Sequence, residues 1–130
     1  MSQTIPYGAV IYAKDYRALA GFYERVAGLT QRDADQEYVL LEAPSFQLVI
    51  LQIPERIAAN ITIEKPPRKR ENTPIKLFLN VSSIENARQT AKALGGELNG
   101  PEKEWKFHGV RRCDGIDPEG NMFQLQEVPE

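Results

Sequence analysis

The order of apolar runs along this chain repeats once, and that repeat constrains the fold more than any other feature. Tyr7–Ala13 is an apolar, strand-like run. Asp15 stands where a helix N-cap belongs, and Tyr16, Leu19, Ala20, Tyr23, Val26 and Ala27 then recur at helical spacing until Gly28 stops them. Leu29–Arg32, Glu37–Glu42 and Phe46–Ile53 read as strands, with the turn Ala43-Pro44-Ser45 between the last two. Ile75–Val81 then opens the same order again. Ser82 and Glu85 have the spacing of a capping box, Ile84, Ala87, Ala91 and Leu94 form a helical stripe, and Gly95-Gly96 ends it. Val110–Gly115 and Asn121–Glu127 read as strands joined by the turn Asp117-Pro118-Glu119-Gly120. Counting aligns Ala13 with Val81 and Gly28 with Gly95-Gly96. Each half therefore predicts strand–helix–strand–strand–strand. Module one covers about 5–53 and module two 75–128, within a single domain of residues 1–130. The stretch 54–74, with Pro66-Pro67 and Arg68-Lys69-Arg70-Glu71, reads as a linker or long loop, and its charge run as a solvated one.

The chain is short enough for one domain, at 130 residues, and its 42% hydrophobic content suffices for a core without a metal or disulfide staple. A net charge of −2 gives no basic footprint for nucleic acid. A single cysteine, Cys113, excludes an intrachain disulfide and a cysteine zinc finger, and a single histidine, His108, excludes a site needing two. No apolar run reaches membrane length, and Met1-Ser2-Gln3-Thr4 lacks the pattern of a signal peptide, so a reduced, cytoplasmic setting is expected.

Alternation along the strands separates two faces. Ile75, Leu77, Leu79 and Val81 share a face expected to bury against a helix, and Lys76, Phe78 and Asn80 share the other. In the last strand Phe123 and Leu125 oppose Met122, Gln124 and Gln126. A face mixing Phe and Met with amides and a lysine fits a binding cleft, or else a surface against a second sheet or subunit.

On these residues the chain resembles the glyoxalase/bleomycin-resistance/dioxygenase superfamily, the vicinal oxygen chelate fold. The matching pieces are Val10-Ile11-Tyr12-Ala13-Lys14-Asp15, Phe22-Tyr23 and Ala27-Gly28-Leu29, then Leu79-Asn80-Val81, Ala93-Leu94-Gly95-Gly96 and Asp117-Pro118-Glu119-Gly120-Asn121-Met122-Phe123-Gln124-Leu125. The resemblance implies an α+β fold in which two βαβββ modules form a curved half-barrel, and it implies a homodimer. Metal enzymes of this family carry four ligands on the first and last strands of each module. Those positions fall here on Gly8, Ile50, Lys76 and Gln124. Glycine and isoleucine cannot coordinate, a lysine ammonium has no acceptor, and one amide oxygen does not hold a catalytic metal. No cofactor is therefore expected.

Six residues are candidates for lining a ligand cleft: Tyr12, Lys76, Phe78, Trp105, Arg112 and Gln124. Lys76 is either an anion anchor or the partner of a carboxylate such as Asp114. Arg112 and Asp114 flank Cys113. If the small Cys113 faces the helix, both charges face the cleft, and an Arg112 unpaired with Asp114 would be a ligand contact. Trp105 and Phe107 either stack on a planar ligand or pin down a loop. Tyr12 either lines the cleft or packs on its neighbouring strand. His108, the natural acid–base group, reads as a loop histidine.

The expected function is metal-free binding of a small organic molecule, anionic or aromatic. The alternative is a metal-dependent lyase, isomerase or dioxygenase in which carboxylates such as Glu42, Asp114 and Glu127 converge. A third reading is a metal-free enzyme with Lys76 or His108 as base.

Overall fold

A computed structural model describes residues 5–129. The reading of residues 1–4 as lacking a leader lies outside the described residues. The chain divides into two compact units; the main boundary, between Thr62 and Ile63, falls inside the predicted linker, and Arg25–Ala27 group with the second unit.

In the first unit, β1 (Tyr7–Ala13), β2 (Thr30–Ala34), β3 (Tyr38–Ala43) and β4 (Phe46–Gln52) form one sheet in the order β1-β4-β3-β2. β1 runs parallel to β4, and the other pairs are antiparallel. Helix α1 (Tyr16–Ala27) makes the crossover that a parallel pair requires. Its ends are those the sequence predicts. The Asp15 side chain accepts a 3.2 Å bond from the Ala18 amide, and Gly28 closes the helix at φ 68°, a conformation that suits a residue without Cβ. Leu19, Ala20, Phe22 and Tyr23 form its buried stripe, and the Phe22 and Tyr23 rings meet edge to face at 5.2 Å. The linker is not structureless: α2 (Glu55–Ala58) is a single turn with Ala58 buried.

The second unit repeats the plan. β5 (Leu77–Val81), β6 (Glu97–Leu98), β8 (Val110–Ile116) and β9 (Met122–Glu127) run in the order β5-β9-β8-β6, with β5 parallel to β9 and helix α3 (Ile84–Ala93) between β5 and β6. One strand has no counterpart in the first unit. β7 (Trp105–Phe107) follows a 3-10 turn at Pro101–Lys103 and folds back on β8 alone. The fold is thus α+β with two open sheets, βαβββ in the first unit and the same order with the extra strand β7 in the second.

Two local expectations are corrected. The N-cap of α3 is Ser83, not Ser82: the Ser83 hydroxyl accepts from the Asn86 amide at 3.1 Å. β5 begins at Leu77, and Ile75, outside the ladder, is 76% exposed rather than buried. The Arg68–Arg70 run is exposed, as expected, and one of its residues is also anchored. The Arg70 amide donates to the Gly120 carbonyl and its Nε to the Glu119 carbonyl, each within 3.1 Å. The turn that receives it is held by the buried Asp117 carboxylate, which accepts from the Glu119 and Asn121 amides.

Candidate functional site

The two faces of the second sheet carry different chemistry. Leu79, Val81, Cys113, Phe123 and Leu125 are buried on the face covered by α3, together with Ile84, Ala87 and Ala91 of that helix. Glu127 shares this face. Its Oε1 accepts from the Ile84 amide at the start of α3, and its Oε2 lies 3.4 Å from Arg111. The opposite face is set by register. Phe78 stands beside Gln124, Gln124 beside Asp114, and Arg112 beside Trp105.

Four of the six candidates join in one connected group on that face. Lys76 Nζ donates to both carboxylate oxygens of Asp114 at 3.0 Å. Asp114 Oδ1 also accepts from Gln124 Nε2 at 3.1 Å. This donation leaves the amide oxygen of Gln124 facing the other way, where it accepts from Arg112 Nη1 at 2.6 Å. The Arg112 guanidinium lies over the Phe78 ring, 4.6 Å from its centroid, and 5.0 Å from the centroid of Phe107.

This arrangement resolves two of the alternatives left by the sequence. Asp114 pairs with Lys76 and not with Arg112, so Lys76 is engaged as an ion pair. Arg112 makes no ion pair among the described residues, and its buried Nε has no hydrogen-bond partner there. Trp105, the fifth candidate, is opposite Arg112 on β7 and 37% exposed. Tyr12, the sixth, belongs to β1 of the first unit and is 62% exposed; none of the contacts above includes it. Two members of the group, Asp114 and Phe107, were not among the six. The alternation Arg112–Asp114 places Asp114 beside a candidate on the same face, a signal present in the sequence, whereas Phe107 joins through the three-residue β7, too short to show a period.

His108 occupies the β7–β8 turn at φ 51° with Gly109 at 76° after it, and its ring meets Phe107 edge to face at 4.5 Å. Two successive left-handed residues are the requirement of a tight hairpin turn, which accounts for this position without acid–base chemistry.

The family's metal positions are filled by residues that cannot serve. A Cβ on Gly8 would stand 2.3 Å from the Gln47 carbonyl oxygen, so no ligating side chain fits there without moving backbone. Ile50 is fully buried on the opposite face of its sheet from Gly8 and needs correction as the counterpart of Gln124. The register pairs Phe78 with Gln124 and Val10 with Val49, so Val49 holds that position, and valine ligates no better. Lys76 and Gln124 are engaged as described. The alternative carboxylate set also fails to assemble, because Asp114 and Glu127 sit on opposite faces of one sheet. Glu42, in the first unit, is bound to Arg32 and Gln47. Among the described residues no three of His, Cys, Asp and Glu come together as a metal would require.

The second unit also holds an open pocket of about 360 Å³, lined in part by Arg88, Lys92, Leu98 and Asn99. None of the six candidates lines it. Arg88 is engaged there with the Asn99 carbonyl, Glu85 and Glu104, so its wall is a hydrogen-bonded corner that ties α3 to the loop before β7.

No helix among the described residues is long and apolar enough to cross a membrane. No curated protein matches the chain in sequence. Solved structures match it along nearly all its length. A glyoxalase/bleomycin resistance protein/dioxygenase family enzyme from Burkholderia phytofirmans PsJN aligns with a TM-score of 0.68 at 16% identity, covering 93% of this chain and 96% of that one. A bleomycin-binding protein complexed with bleomycin gives 0.59 at 15%, covering 97% and 99%. The fosfomycin resistance protein FosX from Mesorhizobium loti gives 0.63 at 12%, covering 98% and 94%. At these identities the likeness establishes the fold. The family model for the glyoxalase-like domain matches residues 8–126, which takes in both modules and the whole of the Arg112 face, and the chain belongs to that family.

Proposed function

We propose that this protein binds a small organic molecule without a metal, on the face of the second sheet that carries Arg112, Phe78, Trp105 and Gln124. The observation that carries this reading is the arginine itself. Arg112 is oriented by Gln124, flanked by aromatic rings and unmatched by any carboxylate of the described residues. Structural arginines are normally paired, and ligand-binding arginines are normally held by neighbours that leave charge to spare. The bleomycin complex among the structural neighbours supports a small-molecule role for the fold. Fold alone does not decide function, so the proposal rests on the residues.

Three further readings belong to it. The modules 5–53 and 75–128 are halves of one glyoxalase-like domain, since a single family model spans both. The protein is a homodimer, a reading supported by the exposed Val10 and Tyr12 on β1, an end strand of its sheet. It works in the reducing cytoplasm, where the free thiol of its one cysteine, Cys113, persists. Light scattering on the purified protein tests the dimer.

The test of binding is a thermal-shift screen of small aromatic and anionic compounds in the presence of chelator. Ligands are expected to raise the melting temperature of the wild type and not of Arg112→Gln. A library-wide lack of response, or hits that appear only after metal is added, would overturn the proposal.

A further inference from the structure

The hydrogen-bond inventory of Arg112 narrows the ligand class. A guanidinium presents five N–H groups in a rigid plane, and its Nε–Nη2 edge offers two parallel donors matched to the two oxygens of a carboxylate. Here Nη1 is taken by Gln124. Nε is buried and has no partner, and Nη2 bonds to nothing among the described residues. Four of the five N–H groups are thus unused, and Nε with the Nη2 hydrogen beside it forms an edge that is wholly free. A buried N–H without a partner is a standing cost, so an acceptor that reaches it gains by satisfying it.

The neighbouring groups fix what that acceptor is. Asp114 is the nearest acidic group in the network, and it is held by Lys76 and Gln124. The network therefore leaves Arg112 with its full charge. Phe78 and Phe107, at 4.6 and 5.0 Å from the guanidinium carbon, remain 54% and 52% exposed. Rings this open can cover an incoming flat group that reaches the guanidinium. Trp105 stands across the ladder from Arg112. Tetrahedral oxyanions would also accept from the fork, but these aromatic flanks offer them nothing, whereas an acid carried on a ring engages both.

We infer that the Nε–Nη2 edge of Arg112 is a carboxylate site, and that the ligand is an acid borne on an aromatic or similarly flat ring held by Phe78, Phe107 and Trp105. This rests on the small-molecule reading of the same face and adds the chemical class. Lys76, Asp114 and Gln124 are positioning residues: they aim the guanidinium and do not touch the ligand.

Benzoate and its neutral isostere benzamide are the probes. Each is titrated into wild type, Arg112→Lys and Arg112→Gln, following Trp105 fluorescence and the Arg112 Nε–H resonance. The fold of each variant is checked by its thermal unfolding. Benzoate is expected to bind saturably in the millimolar range of a fragment, to shift the Nε–H resonance, and to outcompete benzamide by at least about ten-fold. Arg112→Lys, which keeps the charge and loses the fork, is expected to weaken benzoate at least about five-fold, and Arg112→Gln to abolish its binding. Equal binding of the two probes, or benzoate binding unchanged in Arg112→Gln, would overturn the carboxylate site and leave the small-molecule reading standing. Silence toward both probes overturns the carboxylate site, and silence toward the whole compound screen as well overturns both.

Discussion

Gln124 holds Arg112 by a 2.6 Å hydrogen bond from Nη1 to its amide oxygen, while its own amide nitrogen is fixed on Asp114. The direction of the amide is therefore set by the carboxylate. Replacing Gln124 by Leu removes both bonds and leaves a partly buried guanidinium with one donor fewer satisfied. The expected loss is about 1–3 kcal/mol in chemical denaturation, with binding on this face weakened as well. Gln124→Glu should restore stability in part through an ion pair with Arg112, yet still lose affinity for anions, because the charge is then matched within the protein.

Trp105 is the only tryptophan and lies opposite Arg112 in the β7–β8 ladder. Its emission should therefore respond to any ligand on this face. A titration that changes emission in the wild type and not in Arg112→Gln is the expected result. Binding that leaves the emission unchanged would place the ligand elsewhere.

Gly120 and Gly21 should respond oppositely to alanine. Gly120 sits at φ 86°, and a Cβ there would stand 2.1 Å from the Arg68 carbonyl oxygen, where the anchored linker crosses the turn. Gly120→Ala is expected to cost about 2 kcal/mol or more, through strain and displacement of that linker. Gly21 lies within α1 with nothing within 4 Å of the added methyl, and Gly21→Ala should gain about 0.5–1 kcal/mol. Thermal or urea unfolding of the two variants checks both signs.

Cys113 gives the pH prediction. Burial raises its thiol pKa above the ordinary 9.0, and the Arg88 guanidinium beside it only partly opposes this. A raised value means the folded state keeps its proton where the unfolded thiol has lost it. The contribution is thus whole below pH 9.0 and lost as pH rises through the higher folded value. Stability of the wild type should fall more steeply than that of Cys113→Ala above about pH 9. Thiol reagents should label Cys113 only as fast as the structure opens, with rates that climb steeply in denaturant.

Much of this could be read from sequence, for identifiable reasons. Period-two alternation through Leu77–Val81 and Met122–Glu127 separates the α3 face from the open one, because strand geometry leaves no other choice. Cys113 between two charged residues likewise placed Arg112 and Asp114 together. What alternation does not carry is partner choice. The link of Asp114 to Lys76 and Gln124, rather than to Arg112, depends on side-chain reach across three strands. Short elements were also invisible: β6 has two residues and β7 three, too few to show a period. Counting from turns assigned Ile50 where the register puts Val49, and a one-residue slip in a strand reverses the face. The choice between Ser82 and Ser83 as N-cap is the same kind of error, since either serine has the right chemistry.

The central claim, that this face works without a metal, is tested most directly by metal content. The protein is incubated with nickel, zinc, manganese and iron(II), desalted and measured by mass spectrometry. The account predicts less than about a tenth of an equivalent of each, because Gly8, Val49, Lys76 and Gln124 supply no ligand set. One equivalent retained after desalting would contradict it and return the family's metal-dependent chemistry to this chain.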